Sequence, residues 1–196
     1  MSVLKDLGVP IFKAGGIPAI DLRTYVLSAG GLLGKEHRFS WQEILALPKS
    51  QVDCRLTSVS GWSVRAHWGG IKWNDFLKKI SLFPEVNHVR FASVGEGYTT
   101  VVQLKDLENP RVLLAYEVNG ESIEVDYGGP LRMVIPNLWG YKSCKWLGRI
   151  DFINHMEGGY WEDRGYTRSG IIEPGFTLDM NTKTRRPIQG GEVTEF

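Results

Sequence analysis

The chain has 196 residues, of which 42% are apolar and 23% charged, and its formal net charge is +1. This composition is typical of a globular protein with one sizeable core, and it provides no overall field that would favour nucleic acid or an anionic membrane. No apolar run approaches the ~18–20 residues of a membrane span. The N-terminus also lacks the apolar stretch and cleavage site of a signal peptide. We therefore expect a cytoplasmic protein with no membrane span, in which any basic site is local.

The first half of the chain predicts short strands alternating with short helices. Ser40 and Glu43 have the spacing of a capping box, which predicts a helix N-terminus. Polar and apolar residues alternate from Gln51 to Val59, as in a strand. In chain order the pattern predicts an irregular arm over residues 1–20, a strand Tyr25–Ser28, the helix after Ser40, the strand Gln51–Val59, a turn Trp68–Ile71 and a helix Trp73–Ile80.

The second half favours hairpins. His88–Val94 and Tyr98–Val102 read as paired strands around the turn Gly95-Glu96-Gly97, and Val112–Val118 precedes Asn119-Gly120, a strong hairpin signal. Strands and helices do not alternate as they do in βαβ units. The predicted fold class is therefore α+β, with mixed, mostly antiparallel short strands and a few short helices. The polar residues 171–196 predict an extended or partner-bound tail, which follows a domain covering residues 1–170.

Cysteine and histidine usage excludes some site types. Cys54 and Cys144 are too few for a disulfide framework, although a single bridge stays open. The default expectation for both is a buried core thiol. The four histidines form no zinc-binding spacing, so no zinc site is predicted.

The stretch from Asp126 to Ile150 contains a cluster of anion-binding residue types. Arg132 lies within the apolar run Leu131–Ile135, and a break rich in Pro, Asn and Gly follows it. Lys142, Ser143 and Lys145 come directly after this break. A guanidinium, ammonium groups and a hydroxyl beside a glycine-containing loop suit an oxyanion such as phosphate. The alternative is a strand, a loop and a short helix whose basic residues are solvated.

Two segments together carry a family resemblance. Thr57–Ser63, read with Trp68–Ile71, forms the first, and Gly128–Pro136, read with Gly140–Trp146, forms the second. They resemble the two signatures of the molybdopterin-binding domain of the sulfite oxidase family. The closest likeness is to its short single-domain oxidoreductases, and it covers roughly residues 9 to 170.

This resemblance implies a mixed α+β domain that holds molybdenum on a single pterin dithiolene. It places Arg132, Lys142, Ser143 and Lys145 against the pterin and its phosphate. Tyr127 stands where many sulfite oxidases have His, and Tyr98 is the candidate catalytic residue on the substrate side. The implied partners are a small oxyanion or sulfur-oxide substrate and, since no haem motif is present, an external electron acceptor.

The main departure from the family pattern is Ser58. Family members carry there the Cys whose thiolate ligates molybdenum, whereas a serine oxygen is a harder ligand with a far higher pKa. Cys54 lies on the same strand face but about 13 Å away at roughly 3.3 Å per residue. Ser58 is therefore the predicted residue at the metal. Two functions stay open: a molybdenum-dependent oxidoreductase, or a catalytically impaired homologue that binds the cofactor, another anion or a protein.

Overall fold

The computed structural model of the chain describes residues 2–12, 16–95 and 97–191. Parts of the predicted arm, of the turn at 95–97 and of the tail fall outside these residues. The strands are β1 (Val26–Gly31), β2 (His37–Ser40), β3 (Ser50–Ser58), β4 (Trp62–Lys72), β5 (His88–Ser93), β6 (Thr99–Gln103), β7 (Leu113–Val118), β8 (Glu121–Ser122), β9 (Arg132–Val134), β10 (Leu147–Ile153), β11 (Gly175–Asp179) and β12 (Thr184–Ile188).

These strands form two sheets. One has the order β2-β1-β10-β5-β6, and the other follows β12-β11-β4-β7-β8, with β3 added to β4 and β9 to β7. Among the strand pairs of the described chain, β1–β10 and β4–β11 are parallel and the others antiparallel. The α+β prediction with mostly antiparallel strands is therefore confirmed.

Three short α-helices and four 3-10 helices complete the described secondary structure. The α-helices are α1 (Val3–Asp6), α2 (Trp41–Leu45) and α3 (Trp73–Leu77), and the 3-10 helices are Leu104–Glu108, Val125–Tyr127, Gly140–Lys142 and Glu162–Arg164. The predicted capping box is present, because the Ser40 hydroxyl and the Glu43 carboxylate each accept from the other's backbone N–H. α3 ends three residues earlier than predicted. No helix in the described ranges has the length and apolar character needed to cross a membrane.

The predicted hairpins form, but the predicted turn at Trp68–Ile71 is wrong. β5 pairs with β6, and Asn119 and Gly120 turn the chain at φ 49° and 86°. β4 instead continues through Gly69 and Gly70, with a register shift between them opposite β7. A Cβ on Gly70 would lie 2.1 Å from the Leu114 carbonyl oxygen. This glycine therefore permits close approach of two backbones and does not end the strand.

The residues after Lys145 form a central strand and not a short helix. β10 lies between β1 and β5, and its Leu147, Ile150 and Phe152 are completely buried. Arg149 and Asp151 alternate with Ile150 and Phe152 along this strand and form an ion pair at 2.8 Å, in which the Arg149 side chain is 42% exposed. β10 therefore presents an apolar face to the core and a charged face on its other side.

The described part of the tail, residues 171–191, packs against the second sheet. β11 pairs with β12 and, in parallel, with β4. Asp179 on β11 accepts from Arg55 on β3 at 2.9 Å, and both side chains are buried. The anchors here are a charge pair and strand hydrogen bonds, which an apolar pattern does not reveal. The domain boundary at residue 170 stays a prediction.

Two apolar clusters form the core. The larger is built around the first sheet and includes Trp73, Phe91 and Phe152. The smaller lies against β3, β4 and β7, and it includes Leu4 and Val9 of the N-terminal arm. The described part of this arm therefore packs on the core beside the cleft, but it is not wholly irregular as predicted, because it contains the helix α1.

Candidate active site

An open cleft with a volume of about 160 Å³ lies where several chain segments meet. Its walls come from the N-terminal arm, the turn between β3 and β4, the segment from Gly140 to Trp146 and the aromatic loop after β10. Six of the seven residues singled out in the sequence line this cleft: Ser58, Tyr98, Tyr127, Arg132, Ser143 and Lys145. The fold thus brings together residues up to 87 positions apart (145 minus 58).

Arg132 is a cation buried without a carboxylate partner in the part of the chain that the structure describes. Its guanidinium donates to the backbone carbonyls of Tyr127 at 2.7 Å, Met133 at 3.3 Å and Ser143 at 3.5 Å. The residue is only 3% exposed. Burial lowers the pKa of Arg132 to about 10. The guanidinium still remains charged at neutral pH, so it presents an uncompensated positive charge at the cleft.

Lys145 supplies a second cation at the same wall. Its ammonium donates to the backbone carbonyls of Phe12 at 2.9 Å and Asp126 at 3.4 Å. Burial, and then repulsion from Arg132, lower the pKa of Lys145 to about 7. An anion placed between these two groups would gain attraction in a partly desolvated setting, where charge-assisted hydrogen bonds are strong.

Ser143 and Tyr127 add neutral polar groups to the cleft. The Ser143 hydroxyl oxygen accepts from the backbone N–H of Ile135 at 3.0 Å, and the Tyr127 hydroxyl donates to the Val9 carbonyl at 3.2 Å. Burial raises the pKa of Tyr127, so its phenol stays neutral. Both groups are hydrogen-bonding partners that add no negative charge.

Ser58 lies at the end of β3, in the lining of the cleft. Its Oγ accepts from the backbone N–H of Ser60 at 3.2 Å and hydrogen-bonds the Ser60 hydroxyl at 2.8 Å. Cys54 and Cys144 are buried and absent from the cleft lining, so the expectation of buried core thiols is confirmed. Burial raises the pKa of the Cys144 thiol. Neither sulfur takes the place that the family thiolate would have.

Tyr98 faces the cleft beside the segment 140–146. Its hydroxyl donates to the Tyr141 carbonyl, and its ring stacks on Tyr160 with centroids 5.7 Å apart. Burial holds the pKa of Tyr98 well above its ordinary value. The phenol is therefore a neutral group of fixed orientation.

Lys142 lies behind the cleft, which is at odds with its predicted place beside the pterin. It is fully buried, and its ammonium donates to Glu162 Oε1 at 2.5 Å, to the Arg168 carbonyl at 2.6 Å and to the Val101 carbonyl at 2.8 Å. An ammonium has three N–H donors, and all three are used here. The turn Gly140–Lys142 sends its neighbours Tyr141 and Ser143 into the cleft and Lys142 away from it.

The sequence reading missed an aromatic wall on the cleft. Trp161 and Tyr166 stack with centroids 4.9 Å apart and planes 19° apart, and Tyr141 meets Tyr166 edge-on at 5.2 Å. Phe12 of the arm contacts Trp161 at 5.5 Å. The available signal was the three aromatic residues between Tyr160 and Tyr166 inclusive, but nothing in the linear pattern assigned them to the site.

Comparison with known proteins identifies relatives of the chain. The family model described as oxidoreductase molybdopterin binding domain matches residues 14–161. The uncharacterized oxidoreductase YuiH of Bacillus subtilis is 32% identical over 82% of this chain and 82% of its own length. The sulfite oxidase of Arabidopsis thaliana is 32% identical, with 88% of this chain and 53% of the relative covered.

The chain therefore belongs to the oxidoreductase molybdopterin-binding domain family. The catalytic subunit MsrP of the protein-methionine-sulfoxide reductase from Gluconobacter oxydans is 28% identical over 87% of the chain, which spans 60% of that relative. In fold, the chain matches the sulfane dehydrogenase SoxCD from Paracoccus pantotrophus with a TM-score of 0.69 and 16% identity, over 90% of this chain and 47% of the other. Several relatives are thus considerably longer than this chain.

Proposed function

We propose that the cleft binds the molybdenum–molybdopterin cofactor and that the protein carries out two-electron or oxygen-atom transfer. The observation that carries this proposal is the pair of cations at one wall. Arg132 and Lys145 are brought together, and in the described ranges neither forms an ion pair with a carboxylate. Such an arrangement is costly unless an anion completes it. The family's cofactor carries a phosphate, whose negative charge would complete this arrangement.

The residues fit the organic, anionic part of the cofactor better than its metal. Arg132, Lys145, Ser143 and Tyr127 would hold the phosphate and pterin. On the metal side, Ser58 offers an oxygen in place of a thiolate. The described residues contain no group of three His, Cys, Asp or Glu side chains that could hold an ion. Retention of molybdenum would therefore depend on the pterin and not on protein ligands alone.

When bound, molybdenum would supply the two-electron redox change and the place of oxygen transfer. The side chains have simpler roles. Arg132 and Lys145 attract anions, and Tyr98 supplies a neutral phenol on the substrate side. A small oxyanion or sulfur oxide fits this setting, and relatives named for sulfite and for methionine sulfoxide support that class. An external partner would accept or donate the electrons, and a cytoplasmic location remains part of the proposal.

A second candidate function rests on Ser58. A serine hydroxyl needs a base to become an alkoxide, and among the described residues the Ser58 hydroxyl hydrogen-bonds Ser60, which is not a base. The protein would then be a catalytically impaired homologue that binds the cofactor, another anion or a protein partner. If the impaired homologue still binds the cofactor, the two candidates differ in metal content and turnover.

Metal and pterin analysis of protein produced in a cofactor-competent host tests the first candidate. We expect molybdenum and releasable pterin near one per chain, and strong losses of both in Arg132→Met. Pterin without molybdenum would favour the impaired homologue, and absence of both would reject cofactor binding. In X-ray absorption spectra, Ser58→Cys should add one sulfur neighbour to molybdenum. An unchanged sulfur count would mean that residue 58 is not a ligand.

A further inference from the structure

The ion pair of Lys142 and Glu162 lies directly behind the aromatic wall. The two side chains are 0% and 1% exposed, and Nζ and Oε1 are 2.5 Å apart. The Thr100 hydroxyl also donates to Glu162 Oε1, at 2.6 Å. A buried pair of this kind gains little net stability over an apolar pair of similar volume, but its geometry is fixed by charge and direction. We therefore examine which segment of the chain this ion pair holds in place.

The pair connects the segment 160–168 to the strand beneath it. Glu162 starts the short 3-10 turn that follows Trp161, and the Lys142 ammonium also binds the Arg168 carbonyl at the far end. The third donor of this ammonium goes to Val101 on β6. One cation thus holds both ends of the segment against the first sheet.

Packing around the lysine stem agrees with this role. Gly170 has φ +67°, and a Cβ there would lie 2.5 Å from Lys142 Cγ. The Gly170 carbonyl in turn accepts from the backbone N–H of Trp139 at 2.7 Å. The loop therefore closes directly over the aliphatic stem, and the absence of a side chain at residue 170 makes room for it.

Between the two anchored ends lie Trp161 and Tyr166, the stacked pair that faces the cleft. The Tyr141 hydroxyl, from the residue before Lys142, donates to the Thr167 carbonyl at 2.6 Å and ties the wall to the same turn. Flat rings held at a fixed orientation suit a planar partner, since offset stacking depends on relative orientation.

We propose that Lys142 is a positioning residue, which with Glu162 orients the Trp161–Tyr166 wall so that the cleft accepts a planar heteroaromatic anion. This inference rests on the proposed function for the identity of the natural ligand, but not for the position of the wall. Lys142 acts through the loop and does not touch the ligand. The anion itself is held by Arg132 and Lys145.

Two probes separate these roles: sulfate, which needs only the cations, and pterin-6-carboxylate, which also needs the planar wall. The test variant is Lys142→Met/Glu162→Gln, and Lys78→Met/Asp75→Asn is the matched control, since Lys78 and Asp75 form an exposed ion pair at 2.7 Å. In the test variant, the dissociation constant for pterin-6-carboxylate should rise at least tenfold while that for sulfate stays within twofold. The control should leave both unchanged. Equal weakening of both probes, or no change in pterin binding, would overturn the proposal.

A spectroscopic readout tests the wall directly. Protein labelled with 5-fluorotryptophan gives a ¹⁹F signal for Trp161, assigned by its loss in Trp161→Phe. We expect this signal to move in the test variant and to stay fixed in the control. A fixed Trp161 signal in the test variant rejects the positioning role. If the wild type binds neither probe, that result rejects only the proposed cofactor site, and the ¹⁹F signal still tests the positioning role. If the double variant does not fold, Glu162→Gln alone, which keeps an acceptor for Lys142, replaces it. Its Trp161 signal should move from the wild-type position, and an unmoved signal would overturn the proposal.

Discussion

The ammonium of Lys145 donates to the backbone carbonyl of Phe12 at 2.9 Å, so the N-terminal arm occupies a donor that an anion in the cleft would also use. Tyr127 has the same relation to the carbonyl of Val9. The arm therefore satisfies two polar groups of the site with neutral oxygens. A carbonyl does not neutralise charge, so the electrostatic demand for an anion remains.

The first prediction concerns pH. With the pKa of Lys145 lowered to about 7, its ammonium is charged below that pH and neutral above it. Anion affinity should therefore fall as pH rises through about 7. Calorimetric titration with sulfate, which does not titrate in this range, between pH 6 and 9 measures the effect. Lys145→Met should bind sulfate weakly at every pH, and a wild-type affinity that is flat with pH would contradict the assignment.

Lys145 should also make the stability of the fold depend on pH. Lys145 binds a proton more tightly in the unfolded chain, where its pKa is near its usual value, than in the folded protein. Between about pH 7 and the ordinary lysine pKa of about 10.4, the unfolded state therefore holds more protons, and the contribution of Lys145 to the free energy of unfolding increases with pH. Urea denaturation should show that the free energy of unfolding of the wild type, relative to that of Lys145→Met, increases with pH across this range. A constant difference would argue against a lowered pKa.

Arg132→Met should weaken anion binding strongly. Hydrogen bonds to charged groups contribute about 1.5–3 kcal/mol, which corresponds to at least about a tenfold rise in the dissociation constant for sulfate. Arg111→Met is a suitable control, because Arg111 donates to the Asp53 carbonyl and does not line the cleft. Equal effects of the two substitutions would show that general positive charge, and not the cleft, binds the anion.

The ion pair that fixes the C-terminal hairpin should matter more than its exposed neighbour. Asp179→Ala leaves the buried Arg55 without its carboxylate, and breaking such a pair costs about 3–5 kcal/mol. Asp53→Ala breaks the more exposed pair with Arg65, which links β3 to β4, for about 0–1 kcal/mol. Urea unfolding of both variants gives the comparison. Similar losses would mean that the hairpin is not anchored through Asp179.

Tyr98→Phe tests the predicted catalytic role. The phenol hydrogen-bonds Tyr141 and lies on the cleft lining, so its removal should lower turnover while leaving molybdenum and pterin content unchanged. Because the pKa of Tyr98 is held well above 10, no alkaline limb from this group should appear below that pH. A parallel loss of cofactor would instead assign Tyr98 a structural role.

The sequence alone was sufficient for the elements whose signal is local. The capping box at Ser40, the hairpin turn at Asn119-Gly120 and the two family signatures depend on residues a few positions apart, and the structure and the family match confirm them. The grouping of Arg132 and Lys145 at one cleft was also within reach, since they occupy one short stretch. A sequence directly specifies the residue types and their separations along the chain, and these features depend on nothing more.

Only the tertiary structure decided where side chains point and what they meet. Lys142 has the residue type of an anion ligand, yet a carboxylate 20 positions later takes its ammonium behind the cleft. Gly70 reads as a turn until the Leu114 backbone is placed against it. Trp161 and Tyr166 become a wall only because the loop folds back over Lys142. These outcomes depend on long-range partners, and neither propensity nor periodicity contains that information.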